Sequence, residues 1–204
     1  ASLCVRAGTV HALMGENGAG KSTLMKCLLG VYEKDSGSIF LYGEEVDFKN
    51  PRRAAESGVA MVQQELNQAL NRSVAENMWM GRYPSKFAFS PFVSDGEARR
   101  KTREIFDSLG IEANPKEKMS RLSVSKRQMI EIAKAVSFGA RVIVFDEPTS
   151  SLTEPEAERL FEIINSLKKQ GCGIIYISHK MEEILRISDK ITVMRDGKTV
   201  ASRQ

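Results

Sequence analysis

Cysteine is scarce and irregular in this sequence. Cys4, Cys27 and Cys172 are the only three in 204 residues, far apart and among apolar neighbours. That fits reduced thiols better than a disulfide framework or a metal knuckle. No apolar run approaches the roughly 18 residues that a membrane helix requires. The opening Ala-Ser-Leu-Cys-Val-Arg-Ala-Gly lacks the apolar core of a secretory leader, and a soluble intracellular protein is the expectation. Internal repeats, low-complexity segments and linkers are missing as well. So is a dominant charge: 30 basic and 26 acidic residues leave a formal +4, with the two signs interspersed. The densest basic cluster, Arg99-Arg100-Lys101 with Arg103, reads as a solvated helix face, and no sustained basic stripe points to nucleic acid. What is present is 42% hydrophobic residues, ample for the core of one domain or of a domain with a small lobe.

The order of patterns indicates an α/β chain. Val10-His-Ala-Leu-Met14 is a short apolar strand. Ile39 to Tyr42 and Val46 to Phe48 read as two short strands around a turn at Gly43-Glu44-Glu45, a small β-rich layer. From Leu66 to Phe138 the pattern is largely helical, punctuated by Pro84, Pro91 and Pro115. Within it, a helix opening at Asp95 carries Ile105, Phe106 and Leu109 at helical spacing and closes at Gly110. Val142-Ile-Val-Phe145 is a β-branched run suited to a buried parallel strand. The helical Glu154 to Gln170, with Leu160, Phe161, Ile163, Ile164 and Leu167 on one side, leads to a further strand at Gly173-Ile177. Strand, helix, strand with short connections implies right-handed crossovers in a parallel sheet. The expected division is a core formed by 1–65 and 139–204, with a helical subdomain over 66–138.

The loop after the first strand is the most specific feature. Gly15-Glu16-Asn17-Gly18-Ala19-Gly20-Lys21-Ser22-Thr23 fits the G-x-x-x-x-G-K-[ST] pattern, behind an apolar strand and ahead of the helical Leu24 to Leu29. Glycines let backbone N–H groups turn inward around phosphate oxygens, and the following helix adds its positive end. Lys21 is expected on the β- and γ-phosphates of a nucleoside triphosphate and Ser22 on Mg²⁺. Asp146-Glu147 follows the Val142 strand directly. Neighbouring side chains diverge at a strand's end, so Asp146 can hold the Mg²⁺ water shell while Glu147 polarises an attacking water.

With these motifs in place, the chain resembles the ATP-binding cassette of ABC transporters over nearly its whole length. Leu122-Ser-Val-Ser-Lys-Arg-Gln128 resembles the family signature LSGGQ. Gln64, in Met-Val-Gln-Gln-Glu, resembles the Q-loop glutamine, His179 in Ile-Ser-His-Lys the switch histidine, and Ser150-Ser-Leu-Thr153 the D-loop. The stretches around Gly15, Asn71 and Asp146 are most similar to the N-terminal cassette of double-cassette ATPases for bacterial monosaccharide import, of the galactose/methyl-galactoside type. The resemblance implies an ABC-type P-loop fold with a parallel sheet core, a small antiparallel β layer and a helical signature subdomain. It implies ATP and Mg²⁺ as cofactors. Glu147, His179 and Gln64 become the catalytic residues, Ser22, Gln64 and Asp146 the metal site, and Gly15 to Thr23 the phosphate cradle. Ser123 and Ser125 would meet ATP held by a partner cassette. Implied partners are a second cassette, expected in the same longer chain, transmembrane permease subunits and, indirectly, a periplasmic sugar-binding protein; nucleic acid is not among them. The implied location is peripheral, at the cytoplasmic face of the inner membrane. The family places an adenine-stacking aromatic on a strand upstream of the residue numbered Ala1, so the chain is expected to be a fragment.

Three departures stand out. Val124 and Ser125 replace both signature glycines, which allows close approach to phosphate only if their side chains turn away. Thr153 replaces the usual D-loop aspartate, although Thr153-Glu-Pro-Glu156 keeps a capping-box pattern. His11 reads as structural, Trp79 and Tyr83 as packing groups of the helical lobe, and Met129, Ile130, Ile132, Ala133 and Val136 as helix core. Import of another sugar such as ribose or xylose, an exporter cassette, and a soluble cassette acting on ribosomes or DNA stay as alternatives. The short Gln64 to Leu122 segment, without a coiled-coil insertion, argues against the last.

Overall fold

In the computed structural model, residues 1–63, 66–84 and 94–203 are described. The elements in chain order are β1 (Val10–Met14), α1 (Lys21–Leu28), β2 (Ile39–Leu41), β3 (Glu44–Val46), α2 (Pro51–Glu56), β4 (Val59–Val62), α3 (Val74–Trp79), α4 (Asp95–Leu109), a 3₁₀ turn (Met119–Arg121), α5 (Val124–Val136), β5 (Val142–Asp146), α6 (Glu154–Lys169), β6 (Gly173–Ile177), α7 (Met181–Ile187), β7 (Lys190–Arg195) and β8 (Lys198–Arg203). They divide into two compact units, one of residues 1–64, 138–148 and 161–204, the other of 65–137 and 149–160.

The first unit is built on a six-stranded sheet in the order β4-β5-β6-β1-β7-β8. The first five strands run parallel and β8 returns antiparallel beside β7. Strands covered on both faces need continuous apolar runs, and β5 and β6 supply them: Ile143, Val144, Phe145 and Ile174 to Ile177 are all but inaccessible. Leu13, Ala19, Met25, Val144, Ile175, Ile177 and Met194 form one buried cluster, so the residues around the Gly15–Thr23 loop are anchored in the core. A second cluster joins Leu29, Phe48, Ala54 and Val59. His11 is buried in β1, its Nδ1 2.9 Å from the Cys4 carbonyl and its Nε2 2.7 Å from Thr192 Oγ1. Burial lowers its pKa, and the ring has the satisfied partners of a structural histidine.

The β layer differs from the sequence reading in its bounds: Tyr42 leaves the first strand, and the second runs from Glu44 to Val46, with Asp47 and Phe48 outside it. Glu44 and Glu45 lie in β3, paired with Leu41 and Phe40. The turn is the two-residue Tyr42-Gly43, both with positive φ, the hairpin geometry whose twist matches the flanking strands.

In the second unit, Ser94 caps α4 by accepting the Glu97 N–H, and Gly110 closes it in the left-handed conformation. Met129, Ile130, Ile132 and Ala133 are buried along α5, with Ala135 more enclosed than Val136. Trp79 Nε1 donates to the Ala98 carbonyl and Thr102 Oγ1, and Tyr83 donates to Asp95. The basic cluster of α4 is paired along its own helix, Arg100 with Glu97 and Glu104, and Arg99 with Asp95. The three cysteines are free thiols, although Cys4 is exposed and not enclosed by apolar neighbours; burial raises the Cys172 thiol to about 11. Among the described residues, no helix is long and apolar enough to cross a membrane.

Candidate nucleotide site

Three adjacent strands, β5, β6 and β1, deliver the site of the first unit from their carboxyl ends. After β1 the chain enters the loop from Gly15 to Gly20, whose left-handed Gly20 caps α1 without any side-chain hydrogen bond. The N-terminal N–H groups of α1 are therefore directed at the loop rather than at a capping side chain, the arrangement that suits an anion. Lys21 is only 8% exposed. Its Nζ donates to the Gly15 carbonyl at 2.6 Å and the Glu16 carbonyl at 3.1 Å, which fixes the ammonium across the loop. The turn between β7 and β8 braces the loop from behind, Gly197 N–H donating to the Ala19 carbonyl. Sequence reasoning did not find this support, because nothing near Gly197 resembles a functional motif.

Asp146 ends β5, and its Oδ2 lies 3.4 Å from Ser22 Oγ. Burial, and then the neighbouring Glu147, push its carboxyl above the ordinary range, against the opposing Ser22 hydroxyl and Lys21 ammonium. A buried carboxylate in that position is served by a cation. Among the described residues, no group of three or more His, Cys, Asp or Glu could hold a metal by itself. One hydroxyl and one carboxylate leave most coordination positions to water and phosphate oxygens, a donor set that fits Mg²⁺.

Glu147 separates from Asp146 by more than strand alternation. Its φ is +45°, and its N–H donates to the Ile177 carbonyl at 2.9 Å. A left-handed glutamate costs about 1–2 kcal/mol and persists where surrounding structure enforces it, often at functional sites. The turn brings Glu147 Oε1 to 3.2 Å from Nδ1 of His179, which follows β6. Glu147 is largely covered and His179 two-thirds exposed.

Ser123 and Ser125 belong to the second unit. Ser123 is the N-cap of α5, its Oγ accepting the Lys126 N–H at 3.3 Å and lying 3.0 Å from Ser125 Oγ. Val124 is 47% exposed. The capping box expected at Thr153 is present in one direction: Glu156 Oε2 accepts both the amide and the hydroxyl of Thr153, at 2.9 and 2.7 Å. Gln64 lies outside the described residues.

Residues 1–150 match the ABC transporter family. The galactose/methyl galactoside import ATP-binding protein of Clostridium perfringens is 58% identical over 203 residues, 100% of this chain and 39% of that protein. Its namesake in Haemophilus influenzae is 58% identical over 200 residues, and that of Escherichia coli K12 56% over 201, each covering 98% of this chain and 39% of the relative. The chain thus spans about two fifths of the length of these relatives. An ATP-binding cassette of an ABC transporter, solved in its ADP conformation, superposes with a TM-score of 0.85 at 25% identity, covering 100% of this chain and 83% of that one. A cassette solved as a dimer with ADP and Pi shares the fold at 20% identity, with a TM-score of 0.84 over 99% of this chain and 88% of that one. By its nucleotide-binding fold and its relatives, the chain belongs to the ABC transporter family as an ATP-binding cassette.

Proposed function

We propose that this cassette binds and hydrolyses ATP with Mg²⁺ to energise import of a monosaccharide, galactose or methyl galactoside, across the bacterial inner membrane. The observation that carries the reading is the convergence of the Gly15–Thr23 loop with Ser22–Asp146 and Glu147–His179 on neighbouring strand ends. The names of the relatives supply the solute. The chain acts as the N-terminal cassette of a longer two-cassette protein, peripheral to the cytoplasmic face of the membrane, with permease subunits and a periplasmic binding protein as its transport partners.

The roles follow from chemistry. Lys21 and the N–H groups at the start of α1 neutralise stacked phosphates. Ser22 and Asp146 would hold Mg²⁺, with Gln64 contributing near the metal and water. The ion, when bound, withdraws charge from the phosphate oxygens. Glu147 accepts a hydrogen bond from the attacking water, while His179 orients Glu147 and reaches the γ-phosphate. Ser123 and Ser125 face the ATP of the partner cassette, so each site is completed on closure, and the movement between ATP-bound and post-hydrolysis states drives the permease.

The test is purification of the full-length protein carrying Glu147→Gln in the presence of Mg-ATP. Binding of ATP is retained, turnover falls on the order of 10² or more, and a hydrophobic permease accompanies the protein until ATP is withdrawn. Unchanged turnover removes Glu147 from the reaction. Ribosomes or DNA in place of a permease overturn the transport reading.

A further inference from the structure

We infer that Glu183 is a positioning residue for His179, setting the imidazole against Glu147. The inference rests on the catalytic reading of that pair given above. His179 is two-thirds exposed, so packing does little to select its rotamer, and its placement depends on the backbone that carries it. That backbone is tied on both sides to one carboxylate. Glu183 Oε2 accepts from Tyr176 Oη at 2.8 Å and from Ser178 Oγ at 3.2 Å. Its Oε1 lies 3.0 Å from Lys180 Nζ, and its side chain is only 12% exposed. Ser178 and Lys180 flank His179 in the chain, and Ser178 Oγ also accepts the Lys180 N–H at 3.0 Å.

The position of Glu183 in its own helix makes the arrangement specific. Lys180 is the N-cap of α7, so Glu183 is the third helical residue, where a glutamate ordinarily reaches back to the N-cap amide. That amide is taken by Ser178, and the carboxylate is turned instead to Tyr176 and Ser178 at the end of β6. The same strand end fixes Glu147: Ile177 pairs with Asp146, and its carbonyl accepts the Glu147 N–H. Tyr176 is fully buried and Ser178 nearly so, which makes bonds to a charged acceptor strong and directional. Glu183 thereby couples the loop of His179 to the strand that seats Glu147, without itself touching the reacting atoms.

The experiment measures ATP turnover by the full-length protein assembled with its permease, for wild type, Glu183→Ala, Glu183→Gln, His179→Ala and the double variant Glu183→Ala/His179→Ala. Losing the partner that orients a metal-ligating side chain costs about 10–100-fold in affinity or activity, and a loss at the lower end of that range is expected for a group that orients His179. Glu183→Ala is expected to lower kcat about tenfold with KM for ATP within about twofold, because the phosphate loop is untouched. Glu183→Gln keeps a carbonyl oxygen for Tyr176 and Ser178 and restores most of kcat. The double variant is expected to be no slower than His179→Ala, since a residue acting through His179 has nothing left to position. A further tenfold loss in the double variant, or wild-type kcat in Glu183→Ala, overturns the inference. Should Glu183→Ala not fold, Ser178→Ala removes one of the two bonds at Oε2, and the same dependence on His179 decides the matter. Unchanged turnover in His179→Ala alone overturns the catalytic reading and this inference with it, a result distinct from failure of the coupling.

Discussion

Replacing Gly15 by alanine tests whether the phosphate loop depends on its close seat against the sheet. A Cβ built on Gly15 lies 2.4 Å from the Met194 carbonyl oxygen and 2.9 Å from Ala19 Cβ. Non-bonded heavy atoms prefer roughly 3.5 Å, so the loop must retreat by about 1 Å. Neither obstacle is a mobile side-chain tip: Met194 O belongs to β7, which is paired on both edges, and Ala19 is 5% exposed. Overpacking of this kind costs about 1–3 kcal/mol. The displaced residue is also one of the two carbonyls that hold Lys21. At 1.4 kcal/mol per tenfold, affinity for Mg-ATP is expected to fall about tenfold to a hundredfold. Gly18→Ala is the control. Its Cβ meets nothing within 4 Å, and its φ of +85° leaves only a left-handed conformational cost, about 1–2 kcal/mol, with no push on Lys21. A smaller loss of affinity is expected there. Titration of a fluorescent ATP analogue at fixed Mg²⁺, with the thermal midpoint of each variant, decides between them. Wild-type affinity in Gly15→Ala, or a larger loss in Gly18→Ala, would refute the argument.

Two predictions concern stability and pH. Asn77 is 2% exposed, with Oδ1 accepting the Ala69 N–H and Nδ2 donating to the Ala69 and Ser73 carbonyls; Asn77→Ala is expected to cost about 2–3 kcal/mol in urea unfolding. The isosteric Asn77→Asp turns a charge toward two carbonyls and is expected to cost more at pH 7, so equal stability of the two variants would sink the reasoning. Burial alone would raise the Asp189 carboxyl, but Lys168 and the Val10 N–H outweigh it and hold the group below the ordinary carboxylate range. A depressed folded pKa gives stability that is present above the unfolded value and lost as pH falls through the folded one. The unfolding free energy of Asp189→Asn should therefore lie below wild type at pH 7 and approach it on acidification, as read from urea midpoints across pH; a gap that widens in acid contradicts the assignment.

Much of the fold was legible because buried parallel strands leave a continuous apolar trace. Val142 to Phe145 and Gly173 to Ile177 announce themselves this way, and the loop before α1 is recognisable by spacing alone. The sheet order was not legible, since no local pattern says that β1 inserts between β6 and β7. Neither was β8, whose residues are all exposed and show no core-facing side. In β7, Thr192 and Met194 are buried while Ile191 and Val193 are only partly so, an alternation that hydrophobicity alone would assign the other way. Glu44 and Glu45 look like turn residues in sequence, yet an exposed hairpin strand needs no apolar face. In the site, Asp146, Glu147 and His179 were read from motifs. Glu183 was not, because its partners Tyr176 and Ser178 are joined to it only by how the end of β6 folds into α7.

The sheet order itself does much of the assembly. β1, β6 and β5 are neighbours, and their carboxyl ends carry the phosphate loop, His179 and Asp146, the crevice at which open α/β sheets bind ligands. Register then does the finer work. Asp146 pairs with Ile177, so the left-handed turn at Glu147 and the loop of His179 begin at the same level of the sheet and meet at 3.2 Å. A slip of one residue between β5 and β6 would send alternate side chains to the opposite face and separate the pair, although every motif residue would still be present. The geometry of the site is thus specified as much by the apolar residues that fix this register, Phe145 against Tyr176 and Val144 against Ile175, as by the identity of the carboxylates and histidine that meet there.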